Sequence, residues 1–483
     1  MGNADGGPPR LAASLGVPVV FFGAGLVDGD WRDSDECAGR PADRRCRHLG
    51  IPHGRAGLRR DAVAADLRIW RAPKRGRECR RPASAVLRAK DGANGGGVAV
   101  RTFGVEEELL VVDADTWRPL ASGEGVVEQA ASTGPHRLTV EMQQEQVEVI
   151  GPPCATLPEQ LATIHQGRLL ADEAARAVGG RAVALATPVW PGSPSLVPDE
   201  RYRRIRQHVG LLADEQLTCG FHVHVQIEDR EEGVAVLDRI RVWLPVLLAL
   251  SANSPSWYGV DSGFASYRYQ AWSRWPTVGP CEIFGSLQAY EQQSNALLRS
   301  GAPLDDAMLY FDARLSATFP TVEVRVADVC MDPVHAAVLA ALVRALVETA
   351  ARQWGEGKPP RPVSVAELRA WTWQASRFGV DGLLVSPTRG NPVPSGLVVA
   401  ELLHLLQPVL DEYGEFDLVR TVTAAIVEHG SGARHQRQAY ARSEDPADVV
   451  DIALSIGTPR LPQEVRARTG TDPAGAHEQA QAG

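Results

Sequence analysis

From residue 98 onward the chain moves between segments of period two and segments of period 3.6, the signatures of half-buried strands and amphipathic helices. Val98–Asp113, Leu138–Ile150, Ala182–Thr187, Thr218–Glu228 and Arg314–Asp328 are rich in β-branched and apolar residues and predict strands. Leu138–Ile150 has room for one strand or two before Gly151, Pro152 and Pro153 end it. A helix is predicted from Leu157 to about Val178 behind a Thr156 N-cap. Ser122–Ala131, the basic Asp199–Leu212, Ser364–Gly379, Leu397–Tyr413 and Thr421–Glu428 also predict helices. Glu231–Ala252 and Pro333–Gln353 carry the strongest helical stripes. Turn residues gather at Asp115–Pro119, and a Pro-rich loop runs to Pro198. Strands and helices alternate without regular βαβ spacing, so the expected class is α+β, with no internal repeat.

Three of these strands place two charged or metal-binding side chains at i and i+2, on one face. The pairs are Glu106 and Glu108 in TFGVEEELLVVD, His222 and His224 in CGFHVHVQIE, and Glu323 and Arg325 in TVEVRVAD. A fourth segment, EMQQEQVEVIGPP, adds Glu141, Glu145 and Glu148. Apolar flanks such as Phe103, Val105 and Leu109–Val112 argue against a solvated edge, and buried charge is costly unless paired or ligated. Each pair has a plainer reading: a strand edge, two hydrogen-bonded core histidines, a structural ion pair. Matching chemistry in three independent strands favours one shared site. Hard oxygen ligands with an imidazole suit Mg²⁺ or Mn²⁺, and a nucleoside triphosphate is the natural companion. Glu107, between the first pair, should face the other way and be structural.

The segment SANSPSWYGVDSGFASYRYQAWSRWPTVGP interleaves Arg268 and Arg274 with Tyr267, Tyr269, Trp272 and Trp275. It reads as a binding loop or as a packed surface loop with cation–π contacts. Neither a GxGxxG nor a GxxxxGK[ST] occurs, and no GxSxG elbow is present.

Charge is unevenly spread along the 483 residues. Residues 1–100 hold 18 Lys and Arg against 11 Asp and Glu, whereas the rest hold 32 against 48. An acidic body argues against nucleic acid or an anionic membrane as partner. The longest apolar runs, such as Val242–Leu250, are expected to be too short to cross a bilayer. Leu11–Val27 is mildly apolar, but its Gly and Pro content argues against a signal peptide. Seven scattered Cys without metal spacing suggest reduced thiols and a cytoplasmic location. Residues 1–97, rich in Arg, Gly and Pro, are expected to be a mostly disordered extension outside the domain. Their composition fits an over-extended reading frame better than a basic interaction arm. A domain at 98–460 and a disordered tail at 461–483 complete the expected organisation.

From about residue 98 to about 455 the chain resembles the bacterial carboxylate–amine ligases of the glutamate–cysteine ligase type 2 group. The resemblance rests on TFGVEEELLVVD, EQVEVIGPP, TCGFHVHVQIEDRE, LPVLLALSANSPSWYGVDSGFASYRYQAWSRWP, YFDARLSATFPTVEVRVADVC and GARHQRQAY. It implies a glutamine synthetase-like fold, a curved antiparallel sheet with the active site on its concave face. By that resemblance Glu106, Glu108, Glu148, His222 and Glu323 are metal ligands, with Glu141 a weaker one. His224 and Arg325 contact ATP phosphates or substrate, and Arg268 and Arg274 are further candidates. The implied reaction joins glutamate to cysteine, or to another amine, through γ-glutamyl phosphate, with ATP and Mg²⁺, in a homodimer. A divalent-metal hydrolase and a non-catalytic binding protein are the readings from other classes.

Overall fold

The computed structural model describes residues 100–130 and 134–458. The expectations for residues 1–97 and 461–483 lie outside the described residues. The centre of the fold is a seven-stranded antiparallel sheet of β1 (Phe103–Asp113), β2 (Arg137–Val140), β3 (Gln146–Ile150), β4 (Gly180–Val183), β5 (Gly220–Gln226), β6 (Ala313–Leu315) and β7 (Thr321–Asp328). The order is β2-β3-β1-β5-β7-β6, and β4 pairs with the far half of β1. The α+β class holds.

Alternation divides the two faces of this sheet. Phe103 and Val105 of β1, Phe221, Val223 and Val225 of β5, and Val322, Val324 and Val326 of β7 are all buried in one apolar core. The Pro333–Gly355 helix packs against that face. Asp332 caps it, accepting from the Val334 N–H at 2.7 Å, and Pro333 occupies its first turn. Contrary to expectation, this helix is long and apolar enough to cross a membrane, but 83% of its most apolar stretch is buried inside the protein. A long apolar helix is equally what the centre of a large soluble core requires.

Thr156 caps the Leu157–Ala177 helix with a full capping box to Glu159, as the sequence predicts. That helix presents Arg168 to the apolar face of the sheet. Glu107 meets it there, both fully buried, through a two-pronged pair of 2.7 and 3.0 Å. Arg168 also donates to the carbonyls of Cys330 and Met331 at 2.7 and 2.8 Å, so its fork is satisfied. Glu107 thus faces away from its neighbours and clamps sheet to helix.

Several elements differ from the sequence expectation. Glu231–Ala252 is two helices, Arg230–Ile240 and Leu244–Ser251, because Pro245 cannot donate to a continuous ladder and starts a new helix instead. Arg314–Asp328 is a hairpin, β6 and β7, turning at Ser316–Phe319 ahead of Pro320. Tyr267–Trp272 and Leu287–Arg299 are helices the periodicity did not single out.

Removing one partner of the Glu107–Arg168 pair strands a buried charge. Arg168→Met is expected to lower the unfolding free energy by about 3–5 kcal/mol, and adding Glu107→Leu should recover most of the loss, both read from urea denaturation.

Candidate active site

The polar face of the sheet floors a cavity of about 650 Å³. Strand register assembles it. Glu106 lies opposite His222 on β5, and Glu108 opposite Glu148 on β3. His224 lies opposite Glu323 on β7. Pairs that lie far apart in the sequence thus become direct cross-strand neighbours. Glu141, just past the end of β2, closes the acidic side.

Distances show how this face manages its charge. Glu106 lies 3.2 Å from His222 Nδ1 and 3.3 Å from His224 Nε2. Glu108 accepts from the Gly220 N–H at 2.5 Å and lies 3.7 Å from His222 Nε2. Glu148 accepts from the Thr139 hydroxyl at 3.1 Å. Arg314 grips Glu323 with two nitrogens at 2.8 and 3.3 Å, and Arg325 touches the same carboxylate. Ligand atoms converge in three groups, each within 4.8 Å: Glu106, His224 and Glu323; Glu106, Glu148 and His222; and Glu108, Glu141 and Glu148.

Proton affinities follow from these surroundings. Burial would raise Glu106, yet hydrogen bonds from His222 and His224 hold it well below the ordinary carboxylate range. Burial likewise opposes Glu323, but the guanidinium groups of Arg325 and Arg314 keep it low. Glu141 has no such partner. Burial and the charge of Glu108 push it to about 8. Glu148 is raised as well, by burial and then by Glu141. Burial and Arg325 depress His222, leaving its imidazole neutral and able to ligate.

This donor set fits a hard divalent cation. Carboxylates held this close ionise together only if positive charge sits among them, and their oxygens with neutral imidazoles are Mg²⁺ or Mn²⁺ ligands. Both histidines fall within ligand groups. His224, expected at a phosphate, shares its group with Glu106 and Glu323, while His222 shares one with Glu106 and Glu148.

Glu106, Glu108, Glu141, Glu148, His222, His224, Arg268, Glu323 and Arg325 all line the cavity. Arg274 and Glu145 do not. Arg274 turns outward to an ion pair with Glu215, and Glu145 spends both carboxylate oxygens on the Ser195 N–H at 2.9 and 3.0 Å. Glu145 and Glu215 both line the neighbouring Pro-rich corner. Arg314 escaped the sequence reading. Its signal was the β6–β7 hairpin, which sets it opposite Glu323. Tyr202 and Tyr310, also on the cavity wall, come from helix and loop segments with no period pointing inward.

Residues 102–454 match the model of glutamate–cysteine ligase family 2. A protein of Paenarthrobacter aurescens (strain TC1), provisionally named glutamate–cysteine ligase 2-1, is 52% identical over 369 residues, covering 74% of this chain and 96% of its own. A Streptomyces avermitilis protein with the same provisional name is 44% identical over 353 residues, covering 73% and 98%. Among solved structures, a glutamate–cysteine ligase of Francisella tularensis in complex with AMP superposes with a TM-score of 0.55 at 13% identity, over 77% of this chain and 92% of that one. A bifunctional glutathione synthetase of Pasteurella multocida gives 0.55 at 14% identity, over 74% and 52%. At these identities the structural likeness is one of fold.

Glu141 binds its proton more tightly in the folded protein than in the unfolded chain, where about 4.3 applies. Its contribution to stability is complete below that value and is lost as the pH rises through about 8. The melting temperature of the metal-free protein should therefore fall between about pH 5 and 9, less steeply in Glu141→Gln, and Mg²⁺ should flatten the wild-type slope.

Proposed function

The chain belongs to glutamate–cysteine ligase family 2 and is a ligase, and from that premise we propose that it couples L-glutamate to an amine with ATP converted to ADP and phosphate, cysteine being the leading amine. The observation that carries this reading is the convergence of carboxylates, imidazoles and arginines on one cavity floor. Such a face can bring several anions together, which is the central difficulty in reacting a carboxylate with a triphosphate.

Glu106, Glu108, Glu141, Glu148, His222, His224 and Glu323 are the residues that would hold Mg²⁺. Bound there, the metal supplies screening of phosphate charge. Arg325 and Arg314 approach the same floor and neutralise charge on the transferring phosphoryl group. The glutamate γ-carboxylate attacks the terminal phosphorus and ADP leaves. The amine then attacks the γ-carbonyl carbon, and phosphate leaves as the C–N bond forms. Nothing in this sequence needs a protein nucleophile. Cys219, next to β5, is fully buried, and burial raises its thiol far above the usual range, so it stays protonated and inert.

The test is ADP release by purified protein with Mg²⁺, ATP and glutamate, with and without cysteine, and then with other amines. Cysteine-dependent ADP and γ-glutamylcysteine are expected. Release with a different amine alone would keep the mechanism and replace the substrate; no release with any acid or amine would overturn the ligase reading. Glu323→Gln should lower kcat by about a hundredfold or more while the protein stays folded by circular dichroism.

A further inference from the structure

Arg268 is buried to 96% of its side chain and lines the cavity, yet its donors are almost unused. Its Nε has no hydrogen-bond partner. The two terminal nitrogens reach only backbone carbonyls, of Val326 at 3.4 Å and Arg325 at 3.5 Å, both too long to be strong. Its counter-charge, Asp328, stands 3.8 Å away and is already occupied. Asp328 is wholly buried and accepts from the Asn253 N–H at 2.8 Å, the Ser254 hydroxyl at 2.6 Å and the Ser266 hydroxyl at 2.8 Å. A guanidinium withdrawn from water with idle donors is costly unless something else completes it.

The surroundings are built for this side chain. Trp272 lies under its charge at 5.3 Å. Gly220 leaves the space it fills, since a Cβ there would collide with the guanidinium. The backbone of Arg268 is pinned by the Ser254 hydroxyl at 3.0 Å. Asn253, next in line, is held by Gln436 of the GARHQRQAY segment, which donates to its carbonyl and side-chain oxygens at 2.7 Å. That motif, unexplained by the cavity floor, therefore supports the loop behind Arg268.

We propose, resting on the ligase reading above, that Arg268 binds a carboxylate of the acid substrate, the one that does not react, and that Asp328 is the residue that positions it. Location separates this anion from the nucleotide. Gly220, beside Arg268, and His224 lie four residues apart on β5, a span of about 13 Å. Arg314 and Arg325 both reach Glu323, opposite His224, so a polyphosphate at that end would find two guanidinium groups. The Arg268 end has aromatic walls, Trp272 and Trp275, the neutral Gln216 and Thr218, and one carboxylate, Glu108, which accepts from the Gly220 N–H at 2.5 Å. One planar fork in such a place matches one carboxylate. Arg268 thus leaves the nucleotide contacts, where the sequence placed it, and joins the acid.

The test compares L-glutamate with its α-amide, which retains the reacting γ-carboxylate and loses the α-carboxylate charge. Wild type should favour glutamate by about tenfold or more in kcat/KM. Arg268→Gln should raise the glutamate KM by about tenfold or more, leave the ATP KM within about twofold, and abolish the preference over the amide. Arg268→Lys should fall between and serves as the variant if Arg268→Gln does not fold. Asp328→Asn should raise the glutamate KM more than it lowers kcat. Equal losses for glutamate and its amide, or a raised ATP KM with an unchanged glutamate KM, would overturn the assignment while leaving the ligase reading intact. Failure of wild type to release ADP with any acid would remove the ligase reading and this assignment together.

Discussion

Like charges crowded on one face of a sheet set the conditions for the rest of this protein. Register alone brings Glu106, Glu108 and Glu148 side by side on adjoining strands, with Glu141 at the margin. In a cavity screened from bulk water their repulsion is several-fold stronger than it would be in solution. Two of the cavity's carboxylates are stabilised as anions by protein partners: Glu106 by two histidines, Glu323 by two arginines. Glu141 and Glu148 lack such support, and burial beside like charges raises the proton affinity of both. The floor is thus a partly neutralised anionic surface suited to cations from outside.

That arrangement is affordable only because the opposite face is so well packed. Valines and phenylalanines of β1, β5 and β7 meet a long apolar helix, and the buried charges on that side are paired, Glu107 with Arg168 and Arg344 with Glu415. Consecutive glutamates therefore have opposite duties. The outer two face the cavity, and the middle one ties the sheet to its helical layer. Packing on that side fixes the strands whose other face carries the cavity's carboxylates and imidazoles, and catalysis by charge positioning requires such fixed groups.

Support for the cavity also reaches far along the chain. Gln436, the adjacent Asn253 and Ser254, and Asp328 come from three separate segments, yet their hydrogen bonds converge behind one arginine. Buried networks of this kind are specific because each member is costly to leave unpaired.

The strands, their facing and their chemistry were legible in the sequence because side-chain period two is a local property. Glu106 and Glu108, His222 and His224, Glu323 and Arg325 could be assigned to shared faces without any structure. The Thr156 cap and the Pro333–Gly355 helix were equally local. Family resemblance, carried by the same segments, supplied the fold. Pairing between strands is not local, and only the tertiary structure decided it. Register set Glu148 against Glu108, put His224 with Glu323, and drew in Arg314 across a hairpin that read as one strand. It also dismissed Arg274 and Glu145, whose composition resembled their neighbours' but whose loops carry them to Glu215 and Ser195. Whether a charged side chain finds a partner or waits for a ligand depends on what lies within a few ångströms in space, and that is a property of the folded chain.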